Sequence, residues 1–428
     1  MYLRGSKWNM ARRSRRRSNP IKILLLLGLI GAALYFNQVV VPAMPSPFIP
    51  TPTPTRSPES ILNEAEAFFQ QGKLTQAVNA YQEAVLADPQ NPANFINLAR
   101  VQVFAGDYEA AHTNADNALL LNANNPMAYA TKAWALYSLG EYLEAEAAVK
   151  KAIELDPNNA YAYAYYAELL IDKGLYEDLE TAISMSRKAQ ELDPNLLETH
   201  RARAYVLLAT ANYQEAISEY KAAIALNDKL WDLHYLLGIA YKLTEQYDLS
   251  VQEMLTAIAL NPTNPDIPTE LSRANATVGQ FGKAVQYAEQ ALSIDPSSPR
   301  LHGNLGVMLY KNGEYERAIE ELSLAVRGGT TADGTAVQGL PLQPGRIADD
   351  YYSIFGLSLT KLDRCSEAVP ILQLILQNIA EDQVAHYNAL EGIAYCMEAA
   401  DAQAGGSTEG ESAETSEATA VPEATPEP

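Results

Sequence analysis

Two hydrophobic patterns divide the chain. Over residues 23–36 every position is apolar or glycine, and Val39, Val40 and Val41 follow after Asn37 and Gln38. As a helix, residues 23–41 span about 28 Å at about 1.5 Å per residue. That nearly matches a hydrocarbon core of about 30 Å and predicts one membrane-crossing helix. Farther on, small residues recur at a fixed interval. Glycine stands at 72, 106, 140 and 174, and alanine at 189, 223, 257, 291 and 325. A fixed period of this length is the signature of stacked helix–turn–helix units, each with an apolar face it cannot bury alone.

One unit, residues 126–159, shows why. A first helix carries Ala133, Gly140 interrupts the chain, a second helix carries Ala145 and Ala152, and Pro157 closes the unit. Small side chains are required where two helices cross closely, because larger ones overpack the contact. Proline ends the second helix because it cannot donate the next backbone bond. The same three small positions recur as Ala65, Ala77 and Ala84; Ala99, Ala111 and Ala118; and Ala204, Ala216 and Ala223. They reappear as Ala167, Ala182 and Ala189, then Gly238, Ser250 and Ala257, then Ser272, Ala284 and Ala291, then Gly306, Ala318 and Ala325. Closing prolines stand at 89, 157, 194, 262 and 296, with Ala123 and Asp228 replacing two of them.

This arrangement resembles the tetratricopeptide repeat (TPR) family. The resemblance implies an all-α fold: a right-handed superhelical solenoid of helix hairpins, here preceded by a single N-terminal transmembrane helix. Eight units fill residues 59–327. An irregular insertion at 328–346 breaks the period. A degenerate ninth unit and a capping helix occupy 347–400, with Gly356, Ala368 and Ile375 at the three small positions. Residues 401–428 hold seven acids and no base among Ala, Gly, Ser, Thr and Pro, a composition that favours disorder.

Charge separates the two ends. The net charge is −21, yet residues 1–22 carry eight Lys/Arg and no acid. This basic segment should stay cytoplasmic by the positive-inside rule, placing the repeats on the extracytoplasmic face. A cleaved secretory signal, which would leave a secreted protein, is the alternative. Residues 42–58 hold seven prolines and should form an extended stalk. The acidic body disfavours nucleic acid, which needs Lys/Arg stripes.

Candidate chemistry is sparse. His200, His234, His302 and His386 fall where other units place Phe95, Tyr129, Tyr163 and Tyr352, so they stand in for a packing aromatic. Neighbouring helices lie about 8–10 Å apart, too far for these histidines to share one metal ion. His112 has no evident partner. Phosphate-loop, zinc-protease and nucleophile-elbow motifs are lacking, so neither catalytic residues, cofactor nor metal are expected. Cys365 begins the second helix of the ninth unit and Cys396 lies near the end of the next. Antiparallel packing would bring them together, and an exported compartment permits a disulfide.

The resemblance also implies a ligand groove lined by first-helix side chains. The candidates are Asn97, Arg100, Trp134, Tyr137, Tyr161, Tyr165, Arg201, Tyr205, Tyr235, Arg273, Asn304 and Tyr310. Tyr, Trp and Arg are enriched at binding hot spots. The function expected is a non-enzymatic scaffold binding an extended peptide or partner protein. A glycan or cell-wall polymer is the alternative ligand.

Overall fold

The structure is a computed structural model describing residues 19–40, 56–379 and 381–411. Most of the basic segment, most of the proline-rich stalk and the end of the acidic tail lie outside the described residues. The chain divides into two units, Met1–Ser57 and Pro58–Pro428.

In the N-terminal unit, helix α1 spans Pro20–Tyr35 and continues as a π-helical turn over Phe36–Val40. Pro20 suits the first helical turn because its missing N–H would have no partner there. The Asn19 side chain accepts from the Ile21 amide at 3.2 Å. The side chains of α1 are exposed. Pro20–Val39 is long and apolar enough to be a membrane span or a signal sequence.

The repeat body is a right-handed solenoid of consecutive helix hairpins. Eight pairs follow in order: α2 (Pro58–Gln70) with α3 (Leu74–Ala87), α4 (Pro92–Ala105) with α5 (Tyr108–Leu121), α6 (Pro126–Ser138) with α7 (Tyr142–Leu155), and α8 (Ala160–Asp172) with α9 (Leu179–Leu192). Then come α10 (Leu197–Ala209) with α11 (Tyr213–Leu226), α12 (Trp231–Leu243) with α13 (Tyr247–Leu260), α14 (Asp266–Thr277) with α15 (Phe281–Ile294), and α16 (Pro299–Asn312) with α17 (Tyr315–Arg327). The ninth pair is α18 (Ser353–Lys361) with α19 (Cys365–Asn378), followed by α20 (Gln383–Glu411). Helix α20 therefore runs past residue 400 into the stretch whose composition suggested disorder.

Local chemistry sets the hairpins. Asn91, Asn125 and Asn159 each accept from an amide in the first turn of the following helix, satisfying donors the helix leaves free. The recurring alanines are sealed between helices at essentially zero exposure. Where glycine replaces the first of them, a large side chain fills the room. A Cβ at Gly306 would lie 2.5 Å from Leu322, and one at Gly356 would lie 2.3 Å from Leu372.

The irregular insertion contains a short hairpin. Gly329–Thr330 pairs antiparallel with Ala336–Val337, with Gly329 opposite Val337. The Leu340 amide then donates to the Ala325 carbonyl at 2.9 Å, and the Tyr352 hydroxyl donates to Leu340 at 2.8 Å. These bonds tie the insertion to its own flanking helices. Cys365 and Cys396 lie at disulfide distance, with Cα atoms 5.5 Å apart, joining α19 to α20.

The superhelix winds tightly enough to meet itself. The Asn227 amide, after the fifth unit, donates to the Phe69 carbonyl of the first unit at 3.5 Å. Gly72, in the first unit's turn, packs directly on Lys229.

Candidate functional site

The first helices form the inner layer, and their side chains largely fill the space they enclose. Phe69, Phe104, Trp134 and Tyr165, one from each of the first four units, make a continuous aromatic stack. Successive ring centroids are 5.2, 4.8 and 4.6 Å apart, and Trp134 lies nearly parallel to Tyr165. Trp134 and Tyr165 are each 1% exposed. Two of the groove candidates are thus buried in the wall, Trp134 at the border of a cavity and Tyr165 away from it.

Two arginines lie against rings of this stack. Arg100 lies over Phe69 and Tyr161 at 5.8 and 5.5 Å and pairs with Glu198 at 2.8 Å. Arg201 lies over Trp134 at 4.7 Å and grips both oxygens of Glu168, at 3.0 and 2.6 Å. Tyr137 also donates to Glu168. Arg201 and Glu168 are 7% and 3% exposed, so the pair is effectively buried. Burial pulls down the pKa of each guanidinium, but the carboxylates opposite more than offset it and hold both charged.

Beside Arg201 a cavity of ≈ 660 Å³ remains open. Tyr108, Tyr137, Tyr142, Tyr205, Trp231 and Tyr235 supply most of its aromatic lining. Glu168, Asp172 and Asp232 supply three carboxylates, against Arg201 as the one basic group among the lining residues. Arg201 reaches Asp232 at 3.3 Å, and Tyr205 donates to Asp172. The Asp172 carboxyl is pushed above its ordinary value, because burial outweighs the Tyr205 hydrogen bond and the field of Arg201. Burial also raises the Tyr108 hydroxyl, helped by the charge of Asp232.

The remaining candidates lie elsewhere. Arg273 donates to Asn304 at 3.2 Å and pairs with Glu270, which also binds Lys242. Arg273, Asn304 and Lys242 border a second cavity of ≈ 300 Å³, lined also by Lys311, Arg346 and Asp350 and rich in bases. Tyr310 lies against Tyr315, with ring centroids 5.6 Å apart and the planes tilted by 57°. Asn97 is half-buried on α4. Most of the candidates therefore gather near Arg100, Arg201 or Arg273.

The sequence pattern missed the acids. Glu168 and Asp172 lie four residues apart on α8, and Glu198, Asp232 and Asp266 repeat at intervals of 34. All occupy inner-face positions of the repeat, so the signal was present in the frame. Tyr108 and Tyr142 open second helices, outside the first-helix positions that define the groove.

The histidines also differ from simple packing residues. His234 Nδ1 meets Glu253 at 2.6 Å and its Nε2 meets the Asp228 carbonyl at 3.1 Å. His302 repeats this with Glu321 and the Pro296 carbonyl, and His200 pairs with Glu219. Each glutamate lies 19 residues after its histidine. His112 has a partner after all, Asp116 at 3.3 Å.

These features define a helical-repeat solenoid. Tetratricopeptide-repeat models match residues 65–103, 96–160, 148–183, 201–265 and 276–339, together more than half the chain. The chain belongs to the tetratricopeptide repeat family. Among solved structures, the Cut9–Hcn1 hetero-tetramer of the APC/C shares the fold, with TM-score 0.54 and 13% identity over 80% of this chain and 78% of that one. A thermophilic TPR protein from Thermus thermophilus matches 43% of this chain and 98% of its own, at 23% identity and TM-score 0.38. PilW, described as a type IV pilus biogenesis factor, matches 46% and 90%, at 20% identity and TM-score 0.42. No curated protein matches the sequence. TPR proteins generally mediate protein–protein interaction, and the scaffold is typically non-enzymatic.

Proposed function

We propose that this chain is a non-enzymatic scaffold, held in a membrane by α1, whose repeat body binds an extended peptide or partner protein on the extracytoplasmic face. The observation that carries the reading is the open, aromatic-lined cavity left on an otherwise self-filled inner face. Tyrosine and tryptophan there offer large contact area with polar tips. The basic flank of α1 supports a cytoplasmic N-terminus. Three carboxylates in the cavity disfavour the anionic cell-wall polymers that the aromatic residues alone would admit.

A photo-crosslinking residue placed at Tyr235, inside the cavity, is expected to capture a discrete protein in intact cells. The same residue at Glu144, exposed on α7, is the control. Equal capture from both positions, or capture from Glu144 alone, would exclude the groove as the contact surface. Protease added outside intact cells should degrade the repeat body; full protection would overturn the topology.

A further inference from the structure

The charge and shape of the larger cavity say more than that something binds there. Its floor holds one cation, Arg201, which binds both oxygens of Glu168 and reaches Asp232 at 3.3 Å, so with Asp172 three carboxylates face a single guanidinium. Asp172 and Asp232 remain on the walls, and the residues lining the cavity include no lysine. Around them stand tyrosines and Trp231, whose ring faces carry the negative end of the aromatic quadrupole. Carboxylates combined with several ring faces make a receptor for a cation, since both attract positive charge and the rings do so without a large desolvation cost.

The geometry points to a cavity that receives the Lys or Arg side chain of a basic peptide segment, with Asp172 and Asp232 as its counter-charges. This assignment rests on the groove reading above and adds the chemistry of the partner. Three further observations support it. Asp172 accepts from the Tyr205 hydroxyl and forms no ion pair among the described residues. The chain beyond residue 22 is strongly acidic, which draws basic partners towards it. The preference is nonetheless local. Seven residues along α12 from Tyr235, or about 10 Å, Lys242 lines the smaller cavity with Arg273, Lys311 and Arg346, where a cation would be repelled.

A peptide source is favoured over a free small amine because the cavity, at ≈ 660 Å³ and lined from five first helices, is larger than one cationic side chain fills. The test uses the full chain in detergent micelles. Trp134 and Trp231 line the cavity, so tryptophan fluorescence reports occupancy directly. End-capped pentalysine is titrated at 0.15 M salt against pentaglutamate and against N-acetyl-lysine amide. Saturable binding of pentalysine alone is expected. Asp172→Asn and Asp232→Asn, on different helices, are measured separately so that misfolding of one leaves the other informative. Each should weaken binding about tenfold, the effect of losing one charge contact of about 1.4 kcal/mol. The exposed pair Glu144→Gln and Glu154→Gln should change it little.

Unchanged binding in both Asn variants, or equal weakening by the outer pair, overturns the cation assignment in favour of general adhesion to an acidic body. Saturation by N-acetyl-lysine amide as tight as by pentalysine overturns the peptide source. If pentalysine fails while crosslinking at Tyr235 still captures a protein, the cation assignment falls and the groove reading stands. If both fail, both fall.

Discussion

Arg100 of the second unit and Glu198 of the fifth, 98 residues apart in sequence, meet in an ion pair of 2.8 Å across the inner face. Glu198 has no exposed surface, and its second oxygen has no hydrogen-bond partner. The pair ties units that are three repeats apart, which contacts between neighbouring repeats alone would not do. Removing one partner strands a buried charge, so Arg100→Met should cost about 3–5 kcal/mol. Replacing both, as Arg100→Met with Glu198→Leu, should recover most of that loss, because hydrophobic replacement of a buried pair is often neutral. Urea denaturation of the two single variants and the double variant is the check. Additive losses would mean that the two residues are not coupled.

The histidine–glutamate pairs make stability depend on pH. Burial alone lowers the pKa of His234 and His302, but hydrogen bonds to Glu253 and the Asp228 carbonyl, and to Glu321 and the Pro296 carbonyl, raise both above 6.5. The nearby charges of Asp228 and Asp295 act in the same direction. The folded state therefore holds these protons more tightly than the unfolded chain. Their contribution is complete below about pH 6.5 and is lost as pH rises through the folded pKa values. Melting temperature should fall across that interval in the native protein. It should fall less in the double variant His234→Phe and His302→Phe, which installs the aromatic that Phe95 supplies in another unit. Parallel curves for the two proteins would refute the effect.

Cys365 and Cys396 join the ninth unit to the final helix, the part of the solenoid with the least regular repeat. A cross-link closing a loop of this length should stabilise the C-terminal end by about 3–4 kcal/mol through the unfolded state. Hydrogen exchange should therefore quicken in α19 and α20 after reduction by dithiothreitol. Residues of the first units should be unaffected, since stability in a solenoid is local. Uniform acceleration along the chain would contradict that locality, and no change at all would show that the cysteines are not bonded.

The hairpins could be read from the sequence because the period reports local rules: small residues at helix crossings, a turn, a proline stop. The cysteine pairing followed from the same frame. The inner surface could not be read so well, because Arg100 meeting Glu198 depends on the cumulative rotation of three repeats, which no single unit encodes. Trp134 and Tyr165, which the repeat frame places on the groove, are buried by stacking on each other and on Phe104 of the preceding unit. Asp172 and Asp232 were on inner positions throughout, but acids in an acidic chain look like solvated surface until the cavity shows what they face. His200, His234 and His302 were assigned too plain a role, because the glutamates at a spacing of 19 belong to the next helix.

The turn inside each hairpin carries a further prediction. Gly72, Gly106, Gly140 and Gly313 occupy it with φ of 69°, 82°, 82° and 84°. Ala211, Glu245 and Asp363 occupy the same turn in other units with φ of 60°, 59° and 55°, a left-handed conformation that costs a side-chain-bearing residue about 1–2 kcal/mol. Ala211→Gly and Glu245→Gly should therefore stabilise the protein by about 0.5–1 kcal/mol each, after the greater unfolded-state freedom of glycine is subtracted. The reverse change separates two effects. At Gly106 a Cβ meets nothing within 4 Å, so Gly106→Ala should cost only the backbone strain. At Gly72 it would lie 2.5 Å from the Lys229 Cβ and 2.8 Å from its carbonyl oxygen. Gly72→Ala should therefore cost more and loosen the contact between the first unit and the loop after the fifth. Small-angle scattering should show a larger radius of gyration for Gly72→Ala and no change for Gly106→Ala. Equal dimensions and equal stability loss in the two variants would mean that the solenoid does not close on itself at this point.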